Sequence, residues 1–199
     1  AEDEPEFAFL IPVFNDTKGL RITLQSIKEN APGFKVFVSD NGSCENNRKL
    51  IDEYAVSIKV HLNQNTSNLG RTGNWSCLLD IAESHKIEFV KFLFTGEEIL
   101  PGFQEKIKEI LNQNKTVACV VHDYEFNQGN KVSISRSGYN GYMSEKEVAK
   151  ACLIEGGFLG SIISNIYSVN HATGIRFDEK FIGKNDFDFA LLLGNTSYA

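Results

Sequence analysis

The sequence predicts an α/β fold, built as an open, mostly parallel sheet with helices on both faces. Three observations carry that expectation. Short apolar runs that read as buried strands alternate with amphipathic helical stretches through residues 7–113, the pattern of parallel strands joined by crossover helices. Each run ends in polar, turn-forming residues. The 199 residues are 42% hydrophobic and 23% charged, the balance of an ordinary globular domain, and such a chain buries roughly 70% of its unfolded surface.

Phe7 to Val13 (FAFLIPV) is an apolar run bounded by a turn and reads as the first strand. Asp16 or Thr17 can cap the helix that follows. Its Leu20, Leu24 and Ile27 repeat at i, i+4, i+7, and Pro32-Gly33 ends it. Lys35 to Ser39 is the second strand, closed by Asp40-Asn41-Gly42-Ser43. Ser43 is the expected cap of a helix carrying Leu50, Ile51 and Tyr54 on one face. Ser57 to Leu62 is the third strand, and Asn63 to Gly70 a polar loop. Trp75, Leu78, Leu79 and Ala82 fall at helical spacing, so Trp75 is expected to pack rather than to meet a ligand. Phe89 to Phe94 is the fourth strand, and Pro101 starts a helix with Phe103, Ile107, Ile110 and Leu111 inward.

After residue 114 the alternation loosens, and mixed strands are expected. Thr116 to His122 reads as a strand, which Tyr124 to Ser135 either extends or pairs with through the turn at Asn127-Gln128-Gly129-Asn130. Ser144 caps a helix with Glu147 as its capping-box partner. Ile162 to Val169 is a last strand, 175–181 a turn, and Asn185 to Leu193 a final helix. The expected organisation is a tail over 1–6 and a single domain over 7–199, with 7–113 its nucleotide-binding half and 114–199 its acceptor-side half.

A net charge of −6 with dispersed basic residues argues against a nucleic-acid partner. No apolar run approaches the roughly 20 residues of a membrane helix, and the acidic start AEDEPEF is not a signal peptide. Cys44, Cys77, Cys119 and Cys152 lack metal-ligand spacing and read as free thiols in a reducing compartment.

In sheets of this class, ligands bind outside the carboxyl ends of the strands. Those ends are Pro12-Val13-Phe14-Asn15, Asp40-Asn41-Gly42-Ser43, Asn63 onward, and Thr95-Gly96-Glu97-Glu98. Adjacent carboxylates at the tip of an apolar strand read either as part of a metal and phosphate site or as a polar turn.

Five segments then resemble one family in order and spacing: FLIPVFN, VSDNGSCENN, NLGRTGNWSCLLDIA, FVKFLFTGEEILPGF and IRFDEKFIGKNDFDFALLL. They look like the motifs of inverting family-2 glycosyltransferases with the GT-A fold, a Rossmann-like architecture, and the likeness covers about residues 7 to 193. The resemblance implies sugar transfer from a nucleotide-sugar donor to a saccharide or lipid-linked saccharide acceptor. It also implies a divalent cation (Mn²⁺ or Mg²⁺), and surface polysaccharide or glycolipid synthesis in a bacterium, in the cytoplasm or at the inner face of the membrane.

Carried over residue by residue, the resemblance makes Asp186 the catalytic base, where the residue's other reading is a helix N-terminal acid. It makes Asp40 the partner of the nucleobase, or else a turn aspartate. Pro12, Val13, Phe14 and Asn15 become the wall under the nucleoside, with core packing the other reading of Phe14. Asn68, Gly70 and Arg71 would near the base and diphosphate, with Arg71 otherwise a solvated arginine. Glu97, with Glu98 one residue on, would hold the metal. His122 and Asp123 follow the fifth strand and would lie near the donor sugar or the metal, unless the histidine is simply hydrogen-bonded. Asp178 and Glu179 are read as a structural turn, and Asp188 either as a support for Asp186 or as a solvent-facing acid.

The departures are Asn41 for a usual Asp, Gly96-Glu97 for an Asp pair, and Asn185 before Asp186. They motivate a second reading, a degenerate GT-A domain that binds nucleotide or sugar without transfer. A sugar nucleotidyltransferase is more distant, because no Gly-rich phosphate loop follows the first strand.

Overall fold

The computed structural model describes residues 4–44, 46–129, 131–136, 141–155 and 162–177. Strand β1 (Phe7–Val13), helix α1 (Thr17–Asn30), strand β2 (Lys35–Asp40), helix α2 (Asn47–Ala55), strand β3 (Lys59–Gln64), helix α3 (Gly70–Ser84), strand β4 (Phe89–Phe92) and helix α4 (Phe103–Gln113) follow in turn. Then come β5 (Cys119–Val121), β6 (Tyr124–Gln128), β7 (Lys131–Ser135), α5 (Glu145–Glu155) and β8 (Asn165–Ser168). The central sheet has the order β3-β2-β1-β4-β8-β5. Strand β1 pairs in parallel with both β2 and β4, and β2 with β3. Among the described strands of this sheet, β8 runs antiparallel to its neighbours β4 and β5. The expected α/β class, with mixed strands in the second half, is what is found.

Alternation along the strands builds two cores. Phe7, Phe9, Ile11 and Val13 of β1 join Leu20, Leu24 and Ile27 of α1, Leu50, Ile51 and Tyr54 of α2, and Ile107 and Leu111 of α4. Ala8 and Leu10 face the other way, onto Leu78, Leu79 and Ala82 of α3. Helices therefore cover both faces of the sheet, as parallel strands buried on both sides require.

Several boundaries differ from expectation for local reasons. Asn46, not Ser43, caps α2 by accepting from the Arg48 amide, because Ser43 is drawn away to the Asn15 amide at 2.9 Å. Strand β3 starts at Lys59, since Ser57 and Ile58 still bond back to the Tyr54 carbonyl. It then runs on through Gln64 because Ser39 and Asp40 pair with Asn63 and Gln64. Strand β4 ends at Phe92, and Leu93 and Phe94 lead on to the turn at Thr95-Gly96. Helix α4 opens at Phe103 behind Gly102, whose φ of 82° takes the cap position, so Pro101 lies in the turn before it. The run expected as one strand from Ile162 is a 3₁₀ turn over Ile162–Ser164 followed by β8. Strand β5 is shorter than expected and matches the length that β8 pairs with. The segment expected to extend or pair with β5 instead folds on itself as the antiparallel hairpin β6–β7, a sheet of its own, and Glu147 accepts from the Ser144 amide at 2.7 Å in the expected capping box. Cys44, Cys77 and Cys119 carry no disulfide.

Candidate functional site

Strand β1 lies between β2 and β4, so the winding reverses beside it and opens a crevice above the carboxyl ends of the strands. The loops after β1, β2, β3 and β4 all leave from that rim. Side chains lace them together, and of the sequence-derived candidates Asn15, Asp40, Asn68, Gly70 and Glu97 sit in this lacing.

The loop after β1 holds the loop after β2. Asn15, at φ 52°, donates its backbone N–H to Ser43 Oγ and accepts from the Cys44 amide, both at 2.9 Å. Val13 is buried and Pro12 half-buried. Phe14 is 48% exposed, so it is a surface ring at the rim and not part of the core.

Asp40 is buried at the end of β2. Its Oδ1 accepts from the Ser43 amide and its Oδ2 from Asn47 Nδ2, each at 2.9 Å. Asn47 in turn accepts from Thr17 Oγ1 at 2.6 Å. The carboxylate thus brackets its own loop as a turn aspartate, and through Asn47 it is also tied to Thr17 of α1, which the sequence reading did not assign.

Asn41 joins the β2 loop to the β3 loop. Its amide meets Asn68, Leu69 and Gly70. Gly42, at φ +78°, passes so close that a Cβ there would lie 3.2 Å from the Asn68 amide nitrogen. Gly70 turns at φ 75° into α3, and Arg71 stands exposed in that helix's first turn.

The acidic turn after β4 is held by α1. The Thr95 hydroxyl on Asp16 is the main cause of that carboxyl's lowered pKa, helped by the Gly19 N–H and opposed by burial. Gly96 donates to the Gly19 carbonyl at 3.1 Å and to Thr23 Oγ1 at 3.0 Å, while Thr23 donates to the Glu97 carbonyl at 2.8 Å. Glu97 Oε2 folds back onto the Phe94 amide at 2.9 Å. Burial raises the Glu97 pKa, opposed by that N–H and by the Lys91 charge. Glu98 is exposed. Gly96, where the resemblance expects a carboxylate, sits at φ +90° over open space.

Among the described residues no group of three or more Asp, Glu, His or Cys side chains converges as a metal cage. Glu97 and Glu98 supply hard oxygen donors of the kind Mg²⁺ and Mn²⁺ take. Such an ion needs only one or two carboxylates when a diphosphate supplies further oxygens. Two carboxylates have the right chemistry for such an ion but are too few to cage it by themselves.

Two expectations resolve as packing or hydrogen bonding. Trp75 packs on Phe92, Phe94 and Phe177. His122 accepts from buried Lys91 at 2.8 Å and its Nδ1 meets the Asp123 carbonyl at 2.7 Å. Asp178, Glu179, Asn185, Asp186 and Asp188 lie outside the described residues. Sequence reasoning passed over Thr23, Asn47 and Lys91. A signal for Thr23 was present, since Asp16, Gly19, Thr23, Ser26 and Asn30 recur at helical spacing beside the apolar stripe.

The sequence profile described as Glycosyl transferase family 2 matches residues 8–161. No curated protein sequence matches the chain. Among solved structures, crystals of S. aureus TarS 1-349 superpose with a TM-score of 0.71 at 17% identity, covering 94% of this chain and 54% of that one. The same protein in complex with UDP gives a TM-score of 0.71 at 16% identity, covering 94% and 54%. In complex with UDP-GlcNAc it gives 0.65 at 17% identity, covering 87% and 48%. The chain spans about half the length of these structures, and identities this low show a shared fold.

Proposed function

The chain belongs to glycosyl transferase family 2 and has the GT-A fold, and from that premise we propose that it transfers a sugar from a nucleoside-diphosphate sugar to a hydroxyl acceptor with inversion. The observation that carries the reading is the lacing of four loops around the crevice beside β1, with an acidic turn on one side and Arg71 on the other.

In this reading the nucleoside lies over Pro12, Val13, Phe14 and Asn15, with Phe14 offering its exposed ring. Asp40 and Asn68 face the base side, and Gly70 and Arg71 the diphosphate, where a guanidinium can bind in bidentate fashion. Glu97 and Glu98 would hold a divalent cation. The ion, when bound, offsets the charge that gathers on the leaving group. Asp186 takes the proton of the acceptor hydroxyl as its oxygen attacks the anomeric carbon, and the bond to the diphosphate breaks on the opposite side. The acceptor is a saccharide or lipid-linked saccharide, met by the half of the chain after residue 114. The setting is surface polysaccharide or glycolipid synthesis, in the cytoplasm or at the inner face of the membrane.

The test is a thermal-shift panel of UDP, GDP, CMP and dTDP with Mn²⁺, Mg²⁺ or EDTA. At 100 times the dissociation constant, stabilisation is about 2.7 kcal/mol, roughly 5–10 °C here. One nucleotide is expected to shift the melt in a metal-dependent way, and Glu97→Ala to remove that dependence. Asp186→Ala is expected to lower transfer by roughly 10²–10⁴-fold with nucleotide binding kept. Gly96 in place of a carboxylate favours a second reading, a domain that binds nucleotide without transfer. Binding with no product from any donor would select it.

A further inference from the structure

We propose that Asn41 is a positioning residue for nucleotide binding: its side-chain amide clamps the loop of residues 65–70 to the end of β2 and so aims Arg71. The inference rests on the nucleotide-sugar reading above and adds a residue that reading does not use.

Asn41 is 4% exposed, and its backbone N–H is fixed on the Val13 carbonyl at 2.9 Å. The side-chain Nδ2 donates to Asn68 Oδ1 at 2.9 Å and to the Gly70 carbonyl at 3.0 Å. The Oδ1 accepts from the Leu69 amide at 2.8 Å and, more weakly, from Asn65 Nδ2 at 3.4 Å. A primary amide has two donor hydrogens and two acceptor lone pairs, and here all of them are used. Three of the four partners lie on consecutive residues, Asn68, Leu69 and Gly70, directly before Arg71.

Chemistry makes this position exacting. An aspartate of the same shape keeps the bonds from Leu69 and Asn65. It turns the other two into contacts between a charged acceptor and the oxygens of Asn68 and Gly70. Asn68 cannot relieve this by rotating its amide, because its Oδ1 already accepts from the Gly70 N–H at 2.8 Å. Asn41, Asn68 and Gly70 therefore form one unit. The asparagine that departs from the usual Asp of the resembling motif is matched to the loop across from it.

The experiment measures affinity by calorimetry for whichever of UDP, GDP, CDP or dTDP binds the wild type in Mn²⁺. The proteins are wild type, Asn41→Asp, Arg71→Ala and the double variant, each below its melting point. Asn41→Asp is expected to weaken binding about tenfold, the scale of one well-made hydrogen bond. In the Arg71→Ala background the same change is expected to cost less than about threefold, because the clamp acts through Arg71. Wild-type affinity in folded Asn41→Asp overturns the proposal, as does an equal loss in both backgrounds, which marks a merely structural residue. Where Asn41→Asp does not melt cooperatively, Asn41→Ala removes the donors without adding charge and carries the same expectations. A wild type that binds none of the four nucleotides overturns the underlying reading instead.

Discussion

Lys91 lies in β4 between Val90 and Phe92 and is 3% exposed. Its ammonium donates to His122 and to the Ile163 carbonyl, so the buried charge is hydrogen-bonded. Burial still pulls the Lys91 pKa down to about 8, with Glu97 acting the other way. Burial, then the Lys91 charge, holds His122 down to about 4. At neutral pH the imidazole is thus neutral, accepting at Nε2 and donating at Nδ1. Once unfolded, the ring returns towards 6.5, so the unfolded chain takes up the proton first. Stability linked to His122 is present above pH 6.5 and is lost as pH falls towards 4. The melting temperature is expected to drop between pH 7 and pH 5, and to drop by a few degrees less in His122→Gln, which keeps an acceptor for Lys91 and does not titrate. Equal drops in both proteins would mean that His122 titrates normally. Lys91 acts at the other end of the scale: its burial costs stability below about pH 8 and is relieved as pH rises beyond.

At the scale of elements, α1 shows how a helix can both build a core and hold a site. Its apolar stripe packs on the sheet. A neighbouring polar stripe grips the turn after β4: Thr23 as described, Ser26 through the Ile99 amide at 3.0 Å, and Asn30 through the Ile99 carbonyl at 2.9 Å. Thr23 and Ser26 are buried; removing the first hydroxyl takes the donor from the Glu97 carbonyl, and removing the second takes the acceptor from the Ile99 amide. Thr23→Val keeps the shape and loses the hydroxyl. It is expected to destabilise by about 1–3 kcal/mol and to weaken metal-dependent nucleotide binding, whereas Thr23→Ser retains both. Chemical denaturation with a parallel binding assay checks this. A Thr23→Val protein with unchanged stability would mean that the turn holds itself.

Over the whole molecule, the antiparallel strand β8 decides cohesion. It enters between β4 and β5, pairing with Phe89 and Val90 on one side and with Cys119 to Val121 on the other. Its Ile166 enters one core and its Tyr167 the other. Arg176 adds a tie from beyond β8 to α3, bonding Asp80 at 2.8 Å and Glu83 at 2.9 Å. We propose on this basis that the halves 7–113 and 114–199 form a single domain. Calorimetry is expected to show one transition with calorimetric and van't Hoff enthalpies in agreement. Two resolved transitions would separate the halves.

Over residues 7–113 the sequence by itself determined the order of strands and helices, their buried faces and the rim where their ends meet. Each of these follows from local periodicity and turn chemistry, which a chain carries within a few residues. Family membership was legible for the same reason, in motifs such as VSDNGSCENN and FLFTGEEILPGF. Only the tertiary structure decided what the polar residues at the rim hold. Thr23 reaches the Phe94–Glu97 turn across 71 residues of sequence, and Asn41 reaches Asn68 across 27. The strand expected over Ile162–Val169 gave no sign of lying antiparallel between β4 and β5. Lys91, which reads in sequence as a charge interrupting a strand, finds its partners on His122 and Ile163. Such partners are set by which loops the sheet order brings side by side, and hydrogen bonds between distant residues leave no period for a sequence to show.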